Sequence, residues 1–142
     1  MFSSDDRYAP HLGVAIASLA ATSAPNTRAV IHILDGGISA PNRRRLHRVP
    51  RPFGDRFRLE FIRPFLERFQ DLPLRHYYTL AAYYRYWMHR LLPPEIGRVL
   101  YLDCDMVVRR DLTELYTADL GGRPVGAALD KYVHQAPQRV PG

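Results

Sequence analysis

The stretch Val99-Leu100-Tyr101-Leu102-Asp103-Cys104-Asp105-Met106-Val107-Val108, "VLYLDCDMVV", decides how the rest of the chain is read. Four apolar residues read as a buried strand, and two carboxylates close it. Aspartate is a poor strand former and is almost never fully buried without a partner. Residues two apart in a strand share a face, so Asp103 and Asp105 point together while Cys104 turns to the apolar side. Carboxylates this close repel unless a cation lies between them. A hard divalent ion with oxygen ligands, Mg²⁺ or Mn²⁺, relieves the repulsion and keeps coordination sites for phosphate oxygens. The plain alternative is a pair of turn residues with no metal, and a bare D-x-D does not separate the two.

Upstream of this stretch, strand and helix patterns alternate. "MFSS" reads as the end of a strand, leading into the polar turn "DDRY". From Pro10 to Ala21, Leu12, Ile16 and Leu19 fall at helical spacing. "AVIHIL" (29–34) is a β-branched strand ended by the turn "DGG". Ser39 caps a second helix with Pro41 in its first turn and Leu46 and Val49 facing inward. "FRLEFI" (57–62) alternates as a third strand, and "PFLERF" reads as a helical turn. Tyr77 to Leu92 carry the longest helical pattern, with Leu80, Tyr84, Trp87 and Leu91 on one face, and Pro93-Pro94 stop it. Beyond the quoted stretch, Asp111 and Glu114 have capping-box spacing for a short helix. "PVGAALD" (124–130) reads as one more strand, and 131–142 as a loop or frayed end. Such alternation implies an α/β fold with a mostly parallel sheet, whose ligands bind beyond the carboxyl ends of the strands. "DCD" stands at such an end.

The 142 residues suit one domain, 1–142, with 46% hydrophobic and 24% charged residues. No apolar run approaches the roughly 20 residues that span a bilayer. No basic region followed by an apolar core marks a secretory leader. The single Cys104 excludes an internal disulfide and a multi-cysteine metal site, so a reducing, cytoplasmic setting is expected. The net charge of +6 comes almost wholly from arginine and favours anionic partners. "NRRRLHRVPRP" (42–52) reads as a solvated helix face and a proline-punctuated loop. It lacks the interleaved aromatics of a base-stacking surface, so no nucleic-acid partner is expected.

The segment "RVLYLDCDMVVRRDLTELYTADL" resembles the metal-binding segment of glycosyltransferase family 8, which includes lipopolysaccharide α-galactosyl- and α-glucosyltransferases and glycogenin. "SSDDRYAPHLGVAIASLAAT" resembles the family's nucleotide-binding start, and "HILDGGISAPNRRRL" its second strand and turn. "AAYYRYWMHRLLP" resembles its arginine-bearing helix, and "VGAALD" its next strand. The five segments are collinear across nearly the whole chain.

The resemblance implies a Rossmann-like GT-A fold that binds a nucleotide sugar, usually a UDP-sugar. It implies that Asp103 and Asp105 hold Mn²⁺ or Mg²⁺ against the diphosphate, with Asp103 also touching the ribose. Asp5 then accepts a hydrogen bond from uracil and Tyr8 stacks on the base, although Arg7 stands where the family commonly has asparagine. Arg85 aligns with the arginine that reaches the diphosphate or sugar, where a guanidinium fork matches phosphate oxygens. Asp130 corresponds to a carboxylate that binds the transferred hexose. His76 lies near a family histidine with the spacing off by one. His11, His32, His47, His89 and His134 read as structural or surface residues.

By the same resemblance the hexose passes to a saccharide acceptor with retained anomeric configuration, and peripheral membrane contact belongs to regions outside this chain. The family's third metal ligand, a histidine in a late motif, has no counterpart before Gly142, and no residue here can be named as the nucleophile. The expectation is therefore an incomplete, N-terminal part of a catalytic domain that binds UDP and metal weakly and transfers little sugar. Two other readings stay open. One is a non-catalytic UDP- and metal-binding remnant. The other is a Mg²⁺-dependent haloacid-dehalogenase-type phosphatase, whose D-x-D also follows an apolar strand, though Val107 stands where that motif normally has threonine.

Overall fold

Alternating apolar residues form three strands, Phe2–Ser4 (β1), Ala29–Asp35 (β2) and Phe57–Ile62 (β3), in the computed structural model, which describes residues 1–64 and 83–129. All pairings are parallel, in the order β1-β2-β3, with Phe2 opposite Ile33 and Ile31 opposite Leu59. Parallel neighbours need long crossovers. Here these contain the helices Ala9–Thr22 (α1) and Ala40–Arg48 (α2).

One face of the sheet carries Phe2, Ile31, Ile33, Phe57 and Leu59, which pack with Leu12, Ala15, Ile16 and Leu46 of the two helices. Leu12 and Ile16 are fully buried. Each contributes about 1.5–3 kcal/mol relative to exposure. The opposite face carries Met1, Leu34 and Ile62 and is covered from Tyr83 to Leu92 by Tyr84, Trp87, Met88 and Leu91. That cover is a 3-10 turn, Tyr84–Trp87, running into the short helix Met88–Leu91 (α3). The described part of the expected long helix is thus split. Its upstream part, His76 and the turn "PFLERF" beyond Pro64 lie outside the described residues.

Residues 99–102 dock along the free edge of β1 without forming an assigned strand. The Met1 N–H donates to the Leu100 carbonyl at 2.7 Å, and the Leu102 N–H donates to the Met1 carbonyl at 3.0 Å. Together these are one repeat of a parallel ladder, with Met1 facing Tyr101. A second sequence expectation fails. Residues 124–129 form no strand, and Val125 and Leu129 stand exposed, because no described sheet edge receives them. The capping box at 111–114 does not form either. Leu112 is the N-cap of the helix Thr113–Thr117 (α4). Asp111 accepts the Thr113 N–H at 2.7 Å and reaches back to the Ala24 N–H at 2.6 Å, tying α4 to the end of α1. Among the described residues, no helix is long and apolar enough to cross a membrane.

The turn after β2 is built around the fully buried Asp35. Its Oδ1 accepts the N–H groups of Gly37 (2.9 Å) and Ile38 (2.6 Å), and its Oδ2 pairs with Arg43. Gly37 has φ of 106°, a region that side chains with a Cβ rarely adopt. Removing the carboxylate strands two backbone donors and one cation. Asp35→Ala is expected to lower unfolding free energy by about 2–4 kcal/mol in urea titrations. Asp35→Asn, which keeps one acceptor oxygen, is expected to cost less.

Burial also sets a pH dependence. The Met1 amine is pushed down from 8.0 to about 5 by loss of solvent. Burial likewise lowers His32, partly offset by Glu60 across the strands. The His32 Nδ1 lies 3.3 Å from the Glu60 carboxylate but makes no well-aligned hydrogen bond, and the lowered pKa favours a neutral imidazole. For both bases the unfolded chain holds protons that the folded chain refuses, so stability increases with pH across this window. Urea unfolding is expected to show a gain between pH 5 and pH 8 of up to about 4 kcal/mol from the amine. His32 adds to it below the ordinary histidine range.

Candidate functional site

The carboxyl ends of β1 and of the 99–102 segment lie side by side, and the polar residues that follow them share one end of the sheet. Alternation decides which side each residue takes. Leu102 and Cys104 pack toward the α1 face, while Val99 and Tyr101 pack toward the Tyr84 face. Cys104 is half-buried beside Ser4. Burial raises its thiol pKa, the Asp105 charge adds to this, and the Ser4 side chain opposes it. Asp103 and Asp105 are left exposed at the turn around Cys104-Asp105. The two carboxylates therefore sit in a turn at the strand end, with the cysteine inward as the alternation predicts.

Arg85 partly neutralises one of them, Asp103. Its Nη2 lies 3.5 Å from Asp103 Oδ1, and its guanidinium carbon stands 5.2 Å from the centre of the Tyr101 ring. The 3-10 turn delivers Arg85 to this face while the Tyr84 ring is buried beneath. Tyr101 is pushed up to about 12, chiefly by burial, with Arg85 opposing and Asp103 reinforcing. The phenol therefore stays neutral and offers its ring as a platform for the cation. Asp105 has no ion-pair partner among the described residues.

The other half of the site is the β1–α1 turn. Asp5 Oδ1 accepts the Tyr8 N–H at 3.1 Å, which fixes the turn and points Tyr8 outward. The Tyr8 ring is 38% exposed and lies 5.4 Å from the His11 ring, tilted by 42°. Asp6 has a different task. Its Oδ1 accepts the Ser39 N–H and the Asn42 Nδ2–H, both at 2.8 Å, so it joins this turn to the start of α2. These bonds hold its carboxyl below the usual range.

Of the residues singled out in the sequence, Asp5 and Tyr8 lie on one turn, while Arg85, Asp103 and Asp105 meet at the neighbouring one. Asp130 lies outside the described residues. Sequence reasoning missed Tyr101, which it took for strand core. Its position two residues before Asp103 was the available signal, since the two share a face. His11, read as a structural or surface residue, is exposed and borders the Tyr8 ring. Among the described residues no three His, Cys, Asp or Glu side chains converge as a metal cage. The carboxylates of Asp103 and Asp105 offer a partial, all-oxygen set, which suits a magnesium- or manganese-like ion that keeps other positions for ligand oxygens.

Solved structures define the class. The chain superposes on the galactosyltransferase LgtC, solved in complex with donor and acceptor sugar analogues, with a TM-score of 0.83 and 36% identity over 94% of this chain and 47% of that one. The bifunctional glycosyltransferase WbbM, in its apo form, gives a TM-score of 0.69 at 27% identity over 84% of this chain. The fold is the GT-A type, with its Rossmann-like parallel sheet.

The family model for glycosyl transferase family 8 matches residues 1–141, and the chain belongs to that family. General stress protein A of Bacillus subtilis is 32% identical over 132 residues, covering 92% of this chain and 46% of that protein. A putative glycosyltransferase of Haemophilus influenzae is 27% identical over 94% of this chain and 39% of that protein. The chain thus spans about half or less of the length of these relatives. Family membership displaces the phosphatase reading of D-x-D.

The geometry separates the roles of the adjacent Asp5 and Asp6. Asp6→Ala is expected to speed amide exchange at Ser39 and to lower stability. Asp5→Ala should leave the Ser39 amide protected while loosening that of Tyr8. Exchange measured by NMR distinguishes the two.

Proposed function

We propose that this chain forms the donor-binding part of a glycosyltransferase that moves a hexose from a UDP-sugar to a saccharide acceptor with retention of configuration. The observation that carries this reading is the convergence of two polar turns at one end of a parallel sheet. One holds Asp5 and Tyr8, and the other holds Asp103 and Asp105 with Arg85 beside them. In this reading the exposed Tyr8 ring stacks on uracil and Asp5 accepts a hydrogen bond from it. Arg85 trades part of its contact with Asp103 for the diphosphate, with Tyr101 keeping the guanidinium in place. Asp103 and Asp105 are the ligands this chain offers to Mn²⁺ or Mg²⁺, and Asp130 reaches the sugar hydroxyls. When bound, the ion supplies Lewis-acid stabilisation of the charge that develops on UDP.

Calorimetry with UDP tests the reading. Binding is expected to strengthen on adding Mn²⁺. Asp103→Asn with Asp105→Asn is expected to abolish that gain, a loss of tenfold or more, or about 1.4 kcal/mol. Tyr8→Ala is expected to weaken UDP binding with or without the ion. Metal-dependent affinity that survives loss of both aspartates sinks the site assignment. UDP-sugar turnover by the same sample separates an active transferase from a binding module: affinity without transfer leaves only the latter.

A further inference from the structure

Arg85 and Asp103 are held together loosely. Their 3.5 Å separation exceeds the roughly 2.7–2.9 Å of a tight charge-assisted hydrogen bond. Both side chains reach solvent, at 37% and 55% exposure, and ion pairs this open are weak. Tyr101 makes the contact persist. Its ring centre lies 5.2 Å from the guanidinium carbon and attracts the cation by its charge, without using the N–H groups. The ring is itself fixed, because the residues on either side of it, Leu100 and Leu102, are hydrogen-bonded to Met1. Arg85 is fixed at its base by the buried Tyr84, its neighbour in the 3-10 turn. A cation is thus parked at the edge of the carboxylate pair by groups that do not belong to that pair.

The two carboxylates differ in consequence. Asp105 has no ion-pair partner among the described residues, whereas Asp103 already has one. An ion that uses both must take Asp103 from Arg85. The guanidinium then stands near a second positive charge, with the ring still holding it there, and the two repel. A diphosphate removes the conflict. Its oxygens give the guanidinium fork a new acceptor and give the ion further ligands.

We propose that Arg85, held by the Tyr101 ring, is a built-in competitor of the divalent ion at Asp103, so that the pair keeps an ion firmly only when a diphosphate draws Arg85 away. This rests on the donor-site reading above and adds a regulation to it. The ion alone binds against the arginine, and the ion and the diphosphate bind with a positive coupling that runs through one side chain. By linkage each raises the affinity of the other by the same factor, and loss of Arg85 cuts that factor in both directions. Tyr101 is a positioning residue in this arrangement, acting through Arg85.

Mn²⁺ binding to the full chain, followed by loss of the free ion's paramagnetic resonance signal with and without UDP, tests the proposal. Arg85→Met keeps an apolar stem against Tyr101 and deletes the charge. It is expected to bind Mn²⁺ alone about fivefold more tightly than the parent chain and to lose most of the further tightening that UDP brings. Tyr101→Leu is expected to shift both in the same direction by less, and Tyr101→Phe, which keeps the ring, to match the parent. An Arg85→Met chain that holds Mn²⁺ alone no more tightly than the parent overturns the competition, and so does the case in which neither binds it detectably. A Tyr101→Phe chain that behaves like Tyr101→Leu overturns the role of the ring. If UDP changes nothing in any chain, the donor reading fails, while the comparison with the ion alone still decides whether Arg85 competes.

Discussion

Two hydrogen bonds through Met1, one to Leu100 and one from Leu102, set the geometry on which the site depends. They join the first residue of the chain to residues about a hundred positions later. Because the pairing is parallel, both segments end at the same side of the sheet. Asp5 therefore arrives next to the Asp103–Asp105 turn. The contact between Ser4 and Cys104 extends that alignment to the rim. The helices contribute by covering the faces, and the covered faces leave the strand ends as the place where polar groups can collect without a burial penalty.

Much of this was legible in the residues. Leu12 and Ile16 at a spacing of four marked the buried stripe of α1, and Ser39 with Pro41 marked the start of α2. The alternation of "FRLEFI" gave β3, down to Phe57 and Leu59 facing the core. Local patterns succeeded wherever the element's partner lay nearby. They failed where a distant partner decided the outcome. Asp111 has the spacing of a cap, but the Ala24 backbone competes for its carboxylate from 87 residues away. "PVGAAL" reads as a strand by its apolar run alone; its proline, glycine and alanines are weak strand formers, and no described edge pairs with it. The break in the helix after Tyr83 carries no glycine or proline signal.

The aspartates show how little a residue type says about its role. Asp35 is buried and spends both oxygens on a turn and an arginine. Asp6 is exposed and ties two loops together. Asp111 is half-buried, and its hydrogen bonds with Thr113 and with the Ala24 backbone hold its carboxyl down at about 2. Asp5 gives one oxygen to the Tyr8 amide. Asp103 and Asp105 differ in accepting no backbone hydrogen bond among the described residues, and only a salt bridge at 3.5 Å engages either. A carboxylate that the fold does not use is the one available to a ligand. That distinction requires coordinates, since all six sit in short polar stretches beside apolar ones.

The span between Met1 and Leu100 also matters during synthesis. β1 leaves the ribosome long before its outer neighbour exists. At translation rates of about 5–20 residues per second, that neighbour takes on the order of ten seconds to be made. Through that interval β1 can pair with β2 on one side, while its other edge stays open to any passing strand. The nascent chain is therefore most exposed to mispairing and to chaperone capture along the open edge of β1, and it escapes once "VLYL" clears the exit tunnel.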